Sequence, residues 1–313
     1  MTANSTLDVS TSVMPVPGRR SPAPVVSIGV PVYNGARFLS QALDSLLGQS
    51  FSNLELIISD NASTDQTERI CRAYAGKDTR VRYFRQTANI GAPRNWNFVA
   101  KEARGRYFKW SSGNDFCPSD MVEKCVAVME DDAGVVLCYG RTCLVDEETN
   151  SRKEYSYDIA VLEGLPHERF RTLYRTLALN NAQSGLIRAD ALRRTRYDRP
   201  YPHGDVVLMA ELALQGKFVL LPDVLLYRRM GRDTFSSLLS PAEMQVFFDP
   251  KAKRGVGLWH LRMHLDFFVT VLRASLGLPE KLRTLMLVLR HAIWDRKKLW
   301  VELRDRLVGA RHA

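Results

Sequence analysis

The residues best suited to chemistry lie between Arg106 and Asp120, in the sequence RYFKWSSGNDFCPSD. A buried strand is predicted at 107–110, and it runs out into small and polar residues that end at Asn114 and Asp115. Open α/β sheets present their chemistry where strands deliver polar groups at their C-terminal ends. A hard divalent cation takes oxygen ligands, commonly one or two carboxylates with substrate phosphates completing the shell. We therefore predict that Asp115 binds Mg²⁺ or Mn²⁺ beside Asn114; the alternative is that the Asn-Asp pair only turns the chain.

Three other predicted strands also end in polar residues. Tyr33-Asn34 follow the first strand, Asp60-Asn61 the second, and Asn89 the third. Because the carboxyl ends of parallel strands meet at one edge of a sheet, these groups are expected to lie near Asp115. Four polar strand ends in succession are more than turn formation requires.

Alternating elements position these groups. Apolar runs predict strands, helical spacing follows most of them, and this alternation indicates an α/β fold with a mostly parallel sheet flanked by helices. The phosphate-binding motifs Gly-x-Gly-x-x-Gly and Gly-x-x-x-x-Gly-Lys-Ser/Thr are absent, which excludes the usual dinucleotide and P-loop enzymes. The predicted strands span 25–33, 54–59, 81–84, 107–110 and 135–139, and the first helices 38–47, 95–103 and 121–130.

Bulk composition sets the class of protein. The chain has 313 residues, 45% of them hydrophobic and 25% charged, as in globular proteins, and a net charge of +10 that favours a polyanionic partner. Its five cysteines are scattered and contain no Cys-x-x-Cys pair, which predicts reduced, buried thiols in the cytoplasm. Residues 1–24 predict a disordered leader without a signal sequence, and no apolar run approaches the roughly 20 residues that span a bilayer.

Several motifs together resemble a known family. PVYNGARFLSQALDSLLGQSF, LELIISDNASTDQT, ANIGAPRNWN and FKWSSGNDFCPSDMVEKCV look like family 2 glycosyltransferases of the GT-A fold. The likeness is specific over 25–139, where the motifs occur in the family's order, and it continues more weakly through 181–229. It implies a GT-A domain at 25–235, with a nucleotide-sugar-binding half at 25–140 and an acceptor half at 141–235, followed by a C-terminal helical region at 236–313.

The resemblance also assigns roles to residues. Pro31–Asn34 would line the nucleotide pocket, Asp60 would bond the base, and Arg94 lies among residues that contact the nucleotide or its phosphates. Asn114-Asp115 corresponds to the Asp-Asp of the metal-binding motif, but the first carboxylate is replaced by an amide that supplies no charge. The nucleotide-binding candidates are Pro31, Val32, Tyr33, Asn34, Asp60, Asn61, Asn89, Arg94, Asn95, Asn114 and, in a basic segment that covers the diphosphate, Arg229.

The second half of the chain supplies a candidate base. His203-Gly204-Asp205 begins a predicted amphipathic helix, after a predicted helix at 168–179 and a strand at 181–187. The family places its catalytic base in a motif of this kind, so the resemblance makes Asp205 the catalytic residue. The alternative is that Asp205 only caps the helix. A closing strand is predicted at 219–227, with Arg228-Arg229 in the loop that follows.

The C-terminal region has a different character. From Gly257 onward, apolar residues recur at helical spacing among many lysines and arginines, with Trp294 and Trp300 near the end. Such helices either pack on the catalytic domain or lie on an anionic membrane surface, and the two interpretations are compatible. The basic residues show no nucleic-acid-reading motif, so we expect no nucleic-acid partner.

These features predict an enzyme that transfers a sugar from a nucleoside-diphosphate sugar donor to a glycan or lipid-linked acceptor. The resemblance implies inversion at the anomeric carbon, with Asp205 as general base and a divalent metal on Asp115. We expect the enzyme in the cytoplasm, held peripherally on the inner face of the plasma membrane. The alternative is a catalytically weak relative that binds sugar nucleotides, motivated by Asn114.

Overall fold

The computed structural model describes residues 23–231, 241–251 and 258–309. The predicted leader, 1–24, lies almost wholly outside the described residues. None of the described helices combines the length and apolarity that crossing a bilayer requires.

The first half alternates strands and helices, as predicted. Its elements are β1 (Val26–Val32), α1 (Ala36–Leu47), β2 (Leu54–Asp60), α2 (Thr67–Lys77), β3 (Val81–Arg85), α3 (Ala92–Lys101), β4 (Tyr107–Trp110) and α4 (Met121–Asp131). The four strands agree with their predicted bounds to within one residue. Mostly apolar runs that are buried on both faces mark β1, β2 and β4 clearly, whereas β3 is only partly buried.

The second half is less regular. It contains β5 (Val135–Asp146), β6 (Arg152–Glu154), α5 (Pro166–Thr176), a 3₁₀ turn (Asn181–Ser184), β7 (Leu186–Arg188), α6 (Ala189–Arg193), α7 (Gly204–Ala213) and β8 (Lys217–Met230). The described C-terminal helices are α8 (Pro241–Phe248), α9 (Trp259–Arg273), α10 (Leu278–Trp294) and α11 (Arg296–Gly309). The strand predicted at 181–187 is therefore a 3₁₀ turn followed by a short strand.

One mixed sheet organises the described chain. The strand order is β3-β2-β1-β4-β7-β5-β6, with β8 paired to β5. Pairings among β1, β2, β3 and β4 are parallel, as is β5 with β8, whereas β7 and β6 run antiparallel to their neighbours. The prediction of a mostly parallel sheet flanked by helices, with helices at the C-terminus, is confirmed. The strand ends that were predicted to bear the functional side chains are those of β1, β2, β3 and β4, which pair with one another in parallel.

Apolar layers cover both faces of the sheet. In β4, Phe108 and Trp110 point into one layer with Phe170 and Phe267, while Tyr107 joins the layer on the other side. Every residue of β1, β2 and β4 is buried. The five cysteines are free and buried, which agrees with the prediction of buried thiols.

Two local predictions in the second half are wrong. Helix α7 is not amphipathic, because all its residues except Asp205 and Val206 are buried, and it packs against both α5 and α9. Arg229 does not lie in a loop but within β8, where only 7% of it is exposed. On α7 the residues after Asp205 are apolar except Glu211, and α5 and α9 cover them on more than one face. Arg229 is buried because β8 pairs with β5 at this position, a contact that is distant in the sequence.

Candidate active site

The turn after β1 is held by the turn after β2. Asn34 adopts a left-handed conformation (φ 49°), and its backbone N–H donates to Ser63 Oγ at 2.9 Å. Its side-chain Oδ1 accepts a hydrogen bond from the Thr64 N–H at 2.8 Å. Pro31 and Val32 are buried, whereas Tyr33 is 49% exposed and Asn34 is also exposed. Within 31–34, only these last two side chains face a space that a ligand can enter.

Asp60 lies beneath this turn as an organising carboxylate. It is fully buried, and its Oδ1 accepts the Ser63 N–H at 2.8 Å. Its Oδ2 accepts from Tyr83 Oη at 3.1 Å and also pairs with Arg85. A carboxylate accepts about four hydrogen bonds, so these three donors leave room for one more. Arg85 was not among the residues predicted from the sequence, although it is the polar residue that ends β3, as Asp60 ends β2.

The second and third strand ends are joined by amide side chains. Asn61 Nδ2 donates to Asn89 Oδ1 at 2.9 Å, and Asn61 Oδ1 accepts the Ile90 N–H at 2.9 Å. The next residue, Gly91, has φ 84°, and a Cβ there would meet the carbonyl oxygen of Phe248 at 2.8 Å. Only glycine satisfies both constraints, since the residue is left-handed and in close contact with another segment.

The candidates on α3 are already engaged with protein groups. Asn95 is 2% exposed, accepts from Ser59 Oγ at 2.6 Å and donates to the Ser59 carbonyl at 2.9 Å. It therefore fixes α3 to β2. Arg94 pairs with Asp249 at 2.8 Å and donates to the Ile90 carbonyl at 3.2 Å. In this arrangement Arg94 ties α3 to the segment after α8.

Asp115 lies at the end of the loop that follows β4. It is 7% exposed, and its Oδ1 accepts the backbone N–H of Arg229 at 2.9 Å. Burial raises the pKa of Asp115, and the bond from Arg229 and the charges of Arg228, Lys109 and Arg229 oppose that rise. The loop passes the end of β1, because a Cβ on Gly113 would lie 3.2 Å from Val32. Asp115 thus lies in the region of the nucleotide-binding candidates.

Two basic side chains accompany Asp115. The guanidinium of Arg229 lies 4.3 Å from the centre of the Phe38 ring and bonds Gln41 on α1. Lys109, which was not predicted, is 1% exposed and donates to the carbonyls of Trp110 at 3.1 Å and Ser184 at 2.5 Å. Burial lowers its pKa, and the charge of Asp115 opposes this shift. The sequence signal that could have identified Lys109 is its position inside the otherwise apolar run YFKW, where a charged residue is buried with the strand.

The oxygen atoms of Asp115 and its neighbours determine whether a divalent metal ion fits at this position. Among the described residues no group of three His, Cys, Asp or Glu residues could hold an ion. Asn114 Oδ1 accepts a hydrogen bond from Ser112, so its oxygen is partly used. Asp115 offers its second oxygen, Oδ2, which no described residue bonds. One carboxylate fits Mg²⁺ or Mn²⁺ when substrate phosphates and water supply the remaining ligands.

Asp205 is at the start of α7 but does not cap it with its side chain. The N-cap residue is His203, in a left-handed conformation (φ 74°), and the cap makes no side-chain hydrogen bond. Asp205 Oδ2 instead accepts from Asn180 Nδ2 at 3.0 Å, across to the loop before the 3₁₀ turn. The capping alternative is therefore reduced to the general attraction between a carboxylate and a helix N-terminus.

A chain of contacts connects the two acidic candidates. Asp115 accepts the N–H of Arg229, and the neighbouring Arg228 donates to Asn181 Oδ1 at 2.6 Å. The residue before Asn181 is the one that bonds Asp205. The end of β8 and the 3₁₀ turn thus fix the relative positions of Asp115 and Asp205, although the residues are 90 positions apart in the sequence.

A second buried carboxylate lies near Asp205. Asp198 Oδ1 is buried without a hydrogen-bond partner among the described residues. Burial, with the negative charge of Asp205 adding to it, raises the pKa of Asp198 well above its usual range. Asp198 therefore holds its proton more tightly than an exposed aspartate does, and it lies close enough to Asp205 to respond to its charge.

Solved structures define the class of fold. The chain is similar to the crystal structure of Staphylococcus aureus TarS 1–349 in complex with UDP-GlcNAc, with a TM-score of 0.62, 20% identity, and coverage of 87% of this chain and 74% of that one. It is also similar to the mannosyltransferase PcManGT from Pyrobaculum calidifontis in complex with GDP-Man and Mn²⁺ (TM-score 0.52, 16% identity, 93% and 87% covered). The fold is that of the GT-A glycosyltransferases.

Sequence comparison gives the family. The model of glycosyl transferase family 2 matches residues 27–198, more than half of the chain, and the chain belongs to that family. An uncharacterized glycosyltransferase of Rickettsia typhi is 34% identical over 131 residues, which are 41% of this chain and 40% of the relative. Matched segments cover between 15% and 52% of the lengths of the first curated relatives. The resemblance drawn from the motifs is confirmed.

Proposed function

We propose that the protein transfers a sugar from a nucleoside-diphosphate sugar to a hydroxyl of a glycan or lipid-linked acceptor, with inversion at the anomeric carbon. The observation that carries this proposal is the contact chain from Asp115 to Asp205, which joins an acidic residue beside the nucleotide-binding candidates to an acidic residue at the start of α7. Such a pair matches the two tasks of the reaction: neutralising the leaving diphosphate and deprotonating the nucleophile.

The donor would bind over the ends of β1, β2 and β4. Tyr33 and Asn34 are exposed there and would contact the nucleotide, while Asp60 keeps their supporting turn in place and has capacity for one further donor. Asn61 and Asn89 hold the neighbouring turn in shape. The nucleotide-sugar complexes of the two structural neighbours support a donor of this chemical class.

Asp115 would hold the divalent metal, with Asn114 and Arg229 beside it. When bound, the metal supplies Lewis-acid stabilisation of the charge that develops on the diphosphate. Arg229, positioned by its contacts with Phe38 and Gln41, would add a fixed positive charge beside Asp115. This arrangement assigns Arg229 an electrostatic role within β8 in place of the loop-cover role predicted from sequence.

Asp205 would take the proton from the acceptor hydroxyl. Asn180 donates to Oδ2, which orients the carboxylate and leaves Oδ1 without a described partner. A base positioned in this way contributes on the order of 10² to 10⁴ in rate. The reaction would be a single displacement, so no residue of the chain forms a covalent intermediate.

A donor screen tests the proposal. Purified protein is incubated with Mg²⁺ or Mn²⁺ and a panel of nucleotide sugars, and release of the nucleotide is measured with and without lipid-linked and glycan acceptors. Metal-dependent release with one donor supports the proposal. Tight nucleotide binding without turnover for any donor would instead identify the catalytically weak relative that Asn114 suggests.

We also propose that the C-terminal helices attach the enzyme to an anionic membrane surface. Large apolar side chains are exposed on all three helices from α9 to α11, and exposed arginines and lysines lie among them. On α10 the exposed apolar residues recur every three or four positions, so they form one stripe: Leu278, Leu282, Met286, Leu289 and Ile293. Basic helices with such stripes and with tryptophan lie in the lipid headgroup layer.

Vesicle binding tests the membrane proposal. The protein should sediment with phosphatidylglycerol vesicles at low salt and be released at high salt, since each basic residue near an anionic leaflet contributes about 1 kcal/mol. Arg296→Glu combined with Lys297→Glu should weaken sedimentation. Arg69→Glu combined with Lys77→Glu on the exposed face of α2 is the charge-matched control and should not. Equal losses in the two double variants would show that only net charge matters.

A further inference from the structure

We propose that Phe116 and Tyr227 are positioning residues for the donor diphosphate. They act through the two charged groups of the site, Asp115 and Arg229, which they hold in place. The inference rests on the proposed glycosyl transfer and deepens it at the same site. Tyr227 and Arg229 lie two positions apart on β8, so their side chains leave the same face of the strand. Phe116 follows Asp115 in the loop after β4, and its ring contacts both of those side chains.

The rings and the guanidinium form one continuous stack. The Phe116 and Tyr227 rings are stacked at a centroid distance of 4.8 Å, with their planes only 3° apart. The guanidinium carbon of Arg229 lies 5.3 Å from the centre of the Phe116 ring and 4.3 Å from that of the Phe38 ring on α1. At the other end, the guanidinium of Arg152 on β6 lies 5.2 Å from the centre of the Tyr227 ring. The stack therefore joins α1, the loop after β4, β8 and β6.

The backbones of the two aromatic residues are paired as well. The Phe116 N–H donates to the Tyr227 carbonyl at 3.1 Å, and the Tyr227 N–H donates to the Phe116 carbonyl at 2.8 Å. Beside this pair, Asp115 Oδ1 accepts the backbone N–H of Arg229 at 2.9 Å. Residues 111–114, which lead to Asp115, belong to no helix or strand. The pairing with β8 therefore fixes the position of Asp115 at the end of an irregular stretch.

The rings hold the guanidinium of Arg229 without using all of its N–H groups. Its Nη2 donates to Gln41, whereas its Nε is buried without a hydrogen-bond partner in the described part of the chain. A buried donor without a partner is costly unless a ligand satisfies it. Contacts with the faces of aromatic rings orient an arginine and leave the N–H groups in its plane available to an anion. A diphosphate suits these groups, because its oxygens accept hydrogen bonds from several N–H groups at once.

The end of β8 separates the two sides of the proposed site. The side chains of Tyr227 and Arg229 face the loop that carries Asp115. The intervening Arg228 instead donates to Asn181 on the 3₁₀ turn at 2.6 Å, on the side of the proposed base. The stacked rings therefore act on the groups beside the diphosphate and make no direct contact with the base. Their loss should change diphosphate binding selectively.

Binding of nucleoside diphosphates and of the matching monophosphates tests the inference. The probes are UDP, GDP, CDP and dTDP, each compared with its monophosphate by calorimetry in the presence of Mg²⁺. Phe116→Leu should lower the ratio of diphosphate to monophosphate affinity by about fivefold, which corresponds to a cation–π contact of about 1 kcal/mol. Phe38→Leu removes a ring from Arg229 without touching the pairing with β8, so it should show the same effect even if Phe116→Leu fails to fold.

Two further variants separate the ring from the space that it fills. Tyr227→Leu should lower the same ratio, and Tyr227→Phe should restore most of it, because the ring and not the hydroxyl makes the stack. Phe98→Leu is the matched control, since it breaks a ring pair at 5.2 Å between α3 and β3 that has no proposed role in the reaction. The affinity ratio of this control should equal that of the wild type.

Two results would overturn the inference. One is an equal loss of monophosphate and diphosphate affinity in the leucine variants, which would show that the stack only stabilises the fold. The other is an affinity ratio in Tyr227→Phe that is no higher than in Tyr227→Leu. Because binding requires no turnover, a wild type that binds a diphosphate but transfers no sugar would contradict the proposed function alone. A wild type that binds none of the nucleotides would contradict both proposals.

Discussion

Replacement of Asp205 by asparagine separates a catalytic role from a structural one. The side chain keeps its shape, and an asparagine oxygen can still accept the hydrogen bond that Asn180 donates at 3.0 Å. What the variant loses is negative charge, and with it the ability to take a proton. Because the Asp205 side chain forms no cap hydrogen bond with α7, the substitution removes no such bond.

The expected magnitudes differ greatly between the two roles. Loss of a carboxylate near a helix N-terminus costs about 0.3–1 kcal/mol of stability. Loss of a general base lowers the rate by at least about a hundredfold, which is roughly 2.7 kcal/mol in the activation free energy. Affinity for the donor nucleotide should change little, since Asp205 lies on the acceptor side of the proposed site.

The assay compares turnover, nucleotide affinity and thermal stability in one series. Glu168→Gln is the matched control, because Glu168 is an acid in the first turn of α5 and has no proposed role in the reaction. Both variants should lose similar stability, but only Asp205→Asn should lose turnover. A large drop in melting temperature for Asp205→Asn with a modest loss of rate would refute the assignment. So would a rate loss of equal size in the control.

Three further predictions concern other buried ionisable groups. Asp115→Asn should lower metal-stimulated turnover by more than about a hundredfold, while Asn114→Asp should keep or strengthen metal binding, as metal titrations of turnover will show. Because the pKa of Asp198 is raised in the folded state, the folded protein holds this proton more tightly than the unfolded chain does, and stability falls as pH rises above the usual value of 3.8. Asp198→Asn should therefore raise the melting temperature more at pH 8 than at pH 4. Burial lowers the pKa of His291 from 6.5 to about 4, so the folded protein loses stability as pH falls below 6.5, by roughly 2 kcal/mol between pH 8 and pH 5. His291→Phe keeps an aromatic ring stacked on Tyr174 and should remove that loss, which thermal melts at the two pH values will measure.

The sequence predicted the first half of the fold well because local signals suffice there. Strands buried on both faces are mostly apolar, and β1, β2 and β4 show that pattern apart from a few polar residues such as Glu55 and Lys109. The polar groups at their ends were predictable for the same reason, since they are the residues at which the pattern stops. Ordered motifs then added the family.

The second half was harder because its environment is set by distant contacts. Arg229 is a charged residue at the end of an apolar run, and only its pairing with β5 extends the strand to include it. Asp198 gave no signal, since its buried Oδ1 depends on the packing of a loop. Lys109 gave a signal, a charge within an apolar strand, but its partner Ser184 is 75 residues away.

The close covering of α7 has a consequence for how the protein unfolds. Glu211 on this helix pairs with Arg196 at 2.6 Å and accepts a hydrogen bond from Thr270 on α9 at 3.2 Å. Arg196 in turn donates to Asp266 and Thr270. Removing α9 from α7 would therefore leave charged groups buried and half paired. The helix that carries Asp205 and the C-terminal helices should open as one cooperative unit, with backbone amides of α7 and α9 exchanging hydrogen for deuterium at matching rates.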